Sequence, residues 1–239
     1  MSQSPHQSLA NAIAAGNPES SETAAHKQAV GKVVCVGRNY AAHAEELGNS
    51  VPSTPMLFMK PASSIAYIHR DADDNVVVRP DAATYGETHY EAELCVRLAK
   101  DLCRADVSEA AHAVGAVTLG LDLTLRELQS ALKDKGYPWE RAKCFDGACV
   151  LADWVAPEAF GDLRAVHYQL HINDALAQDG DTSLMLFSVY ELLADISHAF
   201  SLKAGDVVMT GTPSGVGVLH AGDNLRLTLG EHGWHAVVK

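Results

Sequence analysis

At 239 residues, with 47% hydrophobic and 20% charged positions, the chain can bury one substantial core and has the balance of a soluble globular protein. Its net charge of −12 argues against a nucleic-acid surface or a polybasic membrane contact, so any anion it handles must meet locally placed positive charge. Five cysteines (Cys35, Cys95, Cys103, Cys144 and Cys149) are odd in number with no C-x-x-C pair, which argues against zinc or disulfide frameworks and fits a reducing, cytoplasmic setting.

Residues 1–29 are rich in Ser, Ala, Gln and Asn, with one short apolar stretch at 9–15, and read as a mobile or loosely docked arm. They lack the basic start and apolar core of a signal peptide, and no apolar run approaches the length of a membrane span. The remainder, residues 30–239, reads as one catalytic domain without internal repeats. It opens with a strand-type run at 32–37. A short helix follows, with Asn39 as its N-cap and Gly48 as its C′ stop. On it His43 and Glu46 fall at i and i+3, one face, as either a base with its orienting partner or a surface ion pair. Residues 56–60 read as a short strand carrying Lys60 into a loop. The acidic run 71–75 reads as a turn, lacking the Gly and terminal Glu of a calcium loop, and 76–78 as a strand.

Residues 89–96 alternate, which places Glu91 and Glu93 on one face of a strand, roughly 6–7 Å apart. Glutamate is a poor strand former, and two on one face repel unless a cation lies between them. Oxygen ligands of this kind suit Mg²⁺, Mn²⁺ or Ca²⁺ better than zinc. The competing reading is the solvated face of a half-buried strand. Residues 106–114 read as a helix and 116–123 as a second alternating strand, with Thr118, Gly120 and Asp122 sharing a face. Asp122 is then a candidate third ligand. If a helix begins at Asp122, then Asp122, Arg126 and Gln129 form one polar stripe. Gly136-Tyr137-Pro138 ends that helix, and Lys143 within 139–150 faces either an anionic substrate or solvent.

The last third reads as β-rich. Residues 167–172 and 175–178 form a hairpin around Asn173-Asp174, residues 179–182 form a loop, and 188–200 an amphipathic helix. Strand 207–209 runs into the Gly-rich segment 210–217. That segment lacks the Gly-Lys-Ser/Thr end of a P-loop and precedes no helix, so its N–H groups are suited to a carboxylate rather than a nucleotide. Residues 224–229 and 234–238 form a final hairpin.

Four segments in register resemble the fumarylacetoacetate hydrolase family, from about Lys32 to the C-terminus. They are Gly37-Arg38-Asn39-Tyr40 with His43 and Glu46; His89-Tyr90-Glu91-Ala92-Glu93-Leu94; Asp122-Leu123-Thr124-Leu125-Arg126-Glu127-Leu128-Gln129; and Gly205-Asp206 with 210–217. The resemblance implies an α+β fold, mostly β, with a rolled mixed sheet and short peripheral helices, in a homodimer. It implies Mg²⁺ or Mn²⁺, with Ca²⁺ as a substitute, on Glu91, Glu93 and Asp122. His43 and Glu46 would act on a lid that orders over substrate, with Lys143 as a further catalytic group, and Arg38, Lys60, Arg126, Gln129 and Thr212 would bind substrate. The implied activity is hydrolysis of acylpyruvate-type 2,4-diketo acids such as fumarylpyruvate or acetylpyruvate. The alternative is oxaloacetate decarboxylation or keto–enol tautomerisation at the same site. Two positions depart from the family's pattern: Tyr90, where a second His is frequent, and Glu127, where Asp is common.

Overall fold

The apolar runs at 33–36 and 92–98 become neighbours of one short strand, 207–209, at the centre of the fold. The structure, a computed structural model, describes residues 30–239 apart from 71 and 73. The arm expected at 1–29 and two positions of the turn expected at 71–75 lie outside the described residues.

Seven strands form a mixed sheet in the order Leu57–Pro61, Lys32–Val36, Val207–Met209, Ala92–Leu98, Val114–Asp122, Cys149–Ala152 and Ile65–Ile68. Lys32–Val36 runs parallel to Val207–Met209, and Ile65–Ile68 parallel to Cys149–Ala152; the other neighbours are antiparallel. Every residue of Ala92–Leu98 is buried, because both faces of this sheet are covered. Leu94 and Val96 face a large cluster with Leu119, Leu121, Tyr168, Leu227 and Trp234. Cys95 faces a smaller one with Val33, Cys35, Cys149, Leu151 and Met209.

The wall opposite the large cluster is a five-stranded sheet: Ala175–Asp181, His167–Ile172, Asn224–Leu229, His232–Val238 and Val76–Val77. Its first hairpin turns at Asn173 and Asp174, both left-handed (φ 51° and 67°), a type I′ combination that Asn and Asp tolerate. That hairpin absorbs the loop expected at 179–182, since pairing continues to Asp181 opposite His167. A third, three-stranded sheet joins Gly217–Val218, Thr88–Tyr90 and Thr124–Leu125.

Six short α-helices lie around the sheets among the described residues: Ala41–Glu46, Ala82–Tyr85, Val107–Ala113, Arg126–Asp134, Glu140–Lys143 and Val189–Ala199. Two start at full capping boxes, Asp106 with Glu109 and Ser188 with Glu191. No helix of the described residues is long and apolar enough to cross a membrane. The mostly β architecture, with a curled mixed sheet and short peripheral helices, is the fold class expected from sequence.

Two local expectations are corrected. Asn39 is not the N-cap of the first helix; Tyr40 holds that position without a side-chain cap. Asn39 is instead fully buried, donating to the carbonyls of Phe187 and Thr210 and accepting from Phe187 N–H, each at 2.9 Å. Asp122 does not share a helix with Arg126: Thr124 and Leu125 pair with His89 and Thr88, so the helix starts only at Arg126. Residues 139–150 hold a one-turn helix, ending at Lys143, before the strand Cys149–Ala152.

Candidate active site

Strand register assembles the acidic cluster. Glu93 sits opposite Gly120 in an antiparallel pair, and two residues further along Asp122 N–H bonds the Glu91 carbonyl at 2.8 Å. Period-two geometry puts Glu91, Glu93 and Asp122 on the same face. One carboxylate oxygen from each lies within 4.8 Å of the others. All three residues are at most 5% exposed, which excludes the solvated-face reading. Gly120 is required between them, because a Cβ there would run into the Val150 carbonyl and Cys95 Sγ.

Three cationic side chains answer two of the carboxylates, Glu91 and Asp122. Lys143 Nζ bridges Glu91 Oε2 (2.8 Å) and Asp122 Oδ2 (2.7 Å). Lys60 Nζ lies 2.8 Å from Asp122 Oδ1 and donates to the backbone carbonyls of Leu123 and Lys143. Arg126 donates through Nη2 to Glu91 Oε1 and through Nη1 to Gln129 Oε1. Burial disfavours the Lys143 ammonium, but Asp122 and Glu91 outweigh it and hold its pKa above the usual lysine range. Burial likewise opposes the Glu91 charge, and Lys143 and Arg126 reverse that, holding it below the usual carboxylate range. Glu93 goes the other way. Burial, then Asp122, then Glu91 push it well up, against a 2.6 Å bond from Gly211 N–H.

Above this cluster stands His43, 2% exposed, with Nδ1 3.3 Å from Glu46 Oε2. Burial lowers its pKa, against the opposing pull of Glu91 and Glu46. The imidazole is therefore neutral near pH 7. With Nδ1–H donated to Glu46, the free lone pair is on Nε2. Glu46 Oε1 also accepts the Gly215 N–H at 3.0 Å, and Arg38 Nη2 bonds Asn49 Oδ1 at 2.9 Å. These contacts hold the helix over a small cleft with about 30 Å³ of open space.

Arg38, His43, Glu91, Arg126, Gln129 and Lys143 all line that cleft. Two expected substrate contacts are placed elsewhere. Lys60 is fully buried beneath the cleft, where it braces Asp122 and the backbone at Lys143. Thr212 is also buried, donating to the Ala92 carbonyl and accepting from Gln178 Nε2. Sequence reasoning missed the individual roles of Gly211 and Gly215, although it flagged their loop as a carboxylate receiver. It also missed Lys133, which lines the cleft one helical turn beyond Gln129. Cys35, Cys95 and Cys149 are buried below the acidic cluster as thiols; burial pushes Cys149 up to about 12.

The donor set fits a hard divalent cation: three converging carboxylates, oxygen only, with no sulfur or nitrogen. Asp122 Oδ1 is buried and accepts no hydrogen bond of proper angle, despite its nearness to Lys60 Nζ. Asp122 Oδ1 faces the Lys60 ammonium alone, and Glu93 has no cationic side chain in ion-pair contact among the described residues; a cation would satisfy both.

The family model for the fumarylacetoacetate (FAA) hydrolase C-terminal region matches residues 32–236. An oxaloacetate tautomerase of Escherichia coli (strain K12) is 41% identical over 204 residues, covering 85% of this chain and 90% of that protein. A mitochondrial oxaloacetate tautomerase of Bos taurus is 39% identical, over 84% of this chain and 87% of its own. Among solved structures, a fumarylpyruvate hydrolase from Pseudomonas aeruginosa, in complex with Mn²⁺ and pyruvate, superposes with a TM-score of 0.82. It is 32% identical and covers 89% of this chain and 93% of that one.

Proposed function

Because the chain belongs to the fumarylacetoacetate hydrolase family, we propose that it is an oxaloacetate tautomerase, interconverting the enol and keto forms at a divalent-metal site. Of the reactions expected from sequence, the comparisons support this one above acylpyruvate hydrolysis, since the relatives at 41% and 39% identity are named for it.

The observation that carries the reading is one neutral, carboxylate-oriented imidazole above a buried three-carboxylate cluster. Glu91, Glu93 and Asp122 would hold Mg²⁺ or Mn²⁺, which supplies Lewis-acid polarisation of a 2-oxo acid's carboxylate and oxo groups. Tautomerisation moves one proton from the C2 enol oxygen to C3 and needs no water. His43 Nε2 is the group to carry that proton, and Glu46 fixes the tautomer that makes Nε2 available. Lys143 and Arg126 stabilise negative charge on the substrate oxygens during the transfer. Lys60, Lys143 and Arg126 equal the three carboxylates in number of charges, although they contact only Asp122 and Glu91. A divalent cation therefore adds two positive charges, which an oxaloacetate dianion neutralises.

Hydrolysis is the rival, favoured by the likeness to the fumarylpyruvate hydrolase. There His43 would instead deprotonate water for attack on an acyl carbonyl. The test is a panel of rates with Mg²⁺ or Mn²⁺: enol-oxaloacetate tautomerisation, oxaloacetate decarboxylation, and cleavage of fumarylpyruvate and acetylpyruvate. Tautomerisation should give the largest kcat/KM. A larger kcat/KM for either diketo acid would overturn the reading in favour of hydrolysis.

A further inference from the structure

The mouth of the cleft carries more positive charge than the acidic cluster needs. On the helix Arg126–Asp134, Arg126, Gln129 and Lys133 fall at i, i+3 and i+7, one continuous stripe that lines the cleft. Arg126 is spent on Glu91 at the floor. Lys133 lies four residues beyond Gln129, about 6 Å further along the axis, and is exposed at the mouth. Its side chain makes no hydrogen bond or ion pair within the described residues. Arg38 faces it from the other wall, bonded only to the neutral amide of Asn49.

Partial burial, then Arg38, then Arg126 lower the Lys133 pKa, while the adjacent Asp134 pulls weakly the other way. In a chain of net charge −12, two cationic side chains in a concave site with no ion pair among the described residues are a local exception. The floor is suited to a 2-oxo acid's own carboxylate and oxo group. A second anionic group on the same molecule would point away from the floor, toward the mouth, where Lys133 and Arg38 lie.

We propose that Lys133, with Arg38, receives the far carboxylate of the substrate, so that the site selects 2-oxo dicarboxylic acids over their monocarboxylic counterparts. The inference rests on the function proposed above and assigns Lys133 a specificity role. Lys133 contacts neither the carboxylate cluster nor His43, so its charge acts on binding rather than on proton transfer. Arg38 is the poorer residue to alter, because its bond to Asn49 also ties together the two ends of the segment that carries His43.

The test is calorimetric titration of the Mn²⁺-loaded protein with L-malate and L-lactate, unreactive 2-hydroxy acids that differ by the far carboxylate alone. Wild type should bind malate more tightly than lactate. Lys133→Gln should weaken malate about tenfold, as expected for loss of a charge-assisted hydrogen bond, and leave lactate within about twofold. Lys133→Arg should restore the preference. Equal loss for both ligands, or loss for neither, overturns the proposal. Wild type that binds both equally also overturns it while leaving the tautomerase reading intact. If wild type binds neither acid, the failure lies with that reading itself, and the selectivity falls with it.

Discussion

Glu46 accepts a hydrogen bond from the backbone N–H of Gly215 at 3.0 Å, 169 positions away in the chain, while its other carboxylate oxygen lies 3.3 Å from His43 Nδ1. Gly215 has φ +95°, and a side chain there would press into the Ala177 carbonyl, so only glycine presents its N–H in this way. One carboxylate thus fixes both the position of the helix and the tautomer of its histidine.

Replacing that carboxylate by an amide keeps an acceptor for Gly215 but offers His43 an N–H donor, which favours the tautomer with its lone pair on Nδ1. Glu46→Gln should therefore lower the tautomerase kcat about 10- to 100-fold, with Mn²⁺ affinity unchanged because Glu46 is no part of the carboxylate cluster. Steady-state rates beside a Mn²⁺ titration check this. Unchanged kcat would remove the orienting role.

The lowered pKa of His43 has a fixed sign in both stability and activity. Below about pH 6.5 the unfolded chain protonates this imidazole while the folded site resists. The stability contribution is therefore complete above that pH and is lost as pH falls from it toward the lowered folded value. Between about pH 7.5 and about pH 5.5, the melting temperature of wild type should fall more than that of His43→Gln. The acidic limb of kcat should likewise lie below the ordinary histidine value. A limb above that value would contradict a buried neutral base.

Metal binding should depend on all three carboxylates. Glu91→Gln keeps the shape but removes one charge, and it leaves Lys143 and Arg126 without their shared partner. Mn²⁺ affinity should fall at least about tenfold, with activity lost after chelator treatment and regained only at raised Mn²⁺. Full activity at low metal would show that Glu91 is not a ligand.

The parity of Glu91, Glu93 and Asp122 was legible because a strand has period two whatever surrounds it. Their burial was not, because the cluster packed on their face comes from neighbouring strands far away in sequence, through residues such as Val33, Cys149 and Met209. The same limit applies to the cations. Lys60 and Lys143 are 83 positions apart, and only tertiary packing brings both ammonium groups to Asp122. Local signals worked where the physics is local: the Asn173-Asp174 turn appears where short-range chemistry puts it. Asn39 shows the converse. Its position suits an N-cap, yet two distant backbone segments claim its amide.

That brace makes a stability prediction separate from chemistry. Asn39→Ala would leave the Phe187 N–H and two buried carbonyls without this partner, at a cost of about 2–4 kcal/mol. Urea unfolding should show the loss as a lower midpoint with an unchanged slope. An effect below about 0.5 kcal/mol, the range of ordinary surface changes, would mean that water or a backbone shift replaces the amide.

The division of labour between His43 and the carboxylate cluster can be tested with two reactions of one substrate. Tautomerisation of oxaloacetate needs a proton placed on C3, the step assigned to His43 Nε2. Decarboxylation breaks the bond to the far carboxylate and needs chiefly an electron sink, which the cluster with its cation supplies and the imidazole does not. His43→Ala should then depress tautomerisation by about 10²–10⁴-fold, the usual contribution of general acid–base catalysis, and decarboxylation far less. Asp122→Ala should depress both, since it removes the carboxylate on which Lys60 and Lys143 converge. Acetylpyruvate cleavage, where measurable, should follow tautomerisation in its loss on His43→Ala, because water must be deprotonated there. Equal losses of tautomerisation and decarboxylation in folded His43→Ala at saturating Mg²⁺ would assign the histidine to closing the helix over the cleft. Proton transfer would then have to be sought elsewhere, and the carboxylate cluster would keep its assignment.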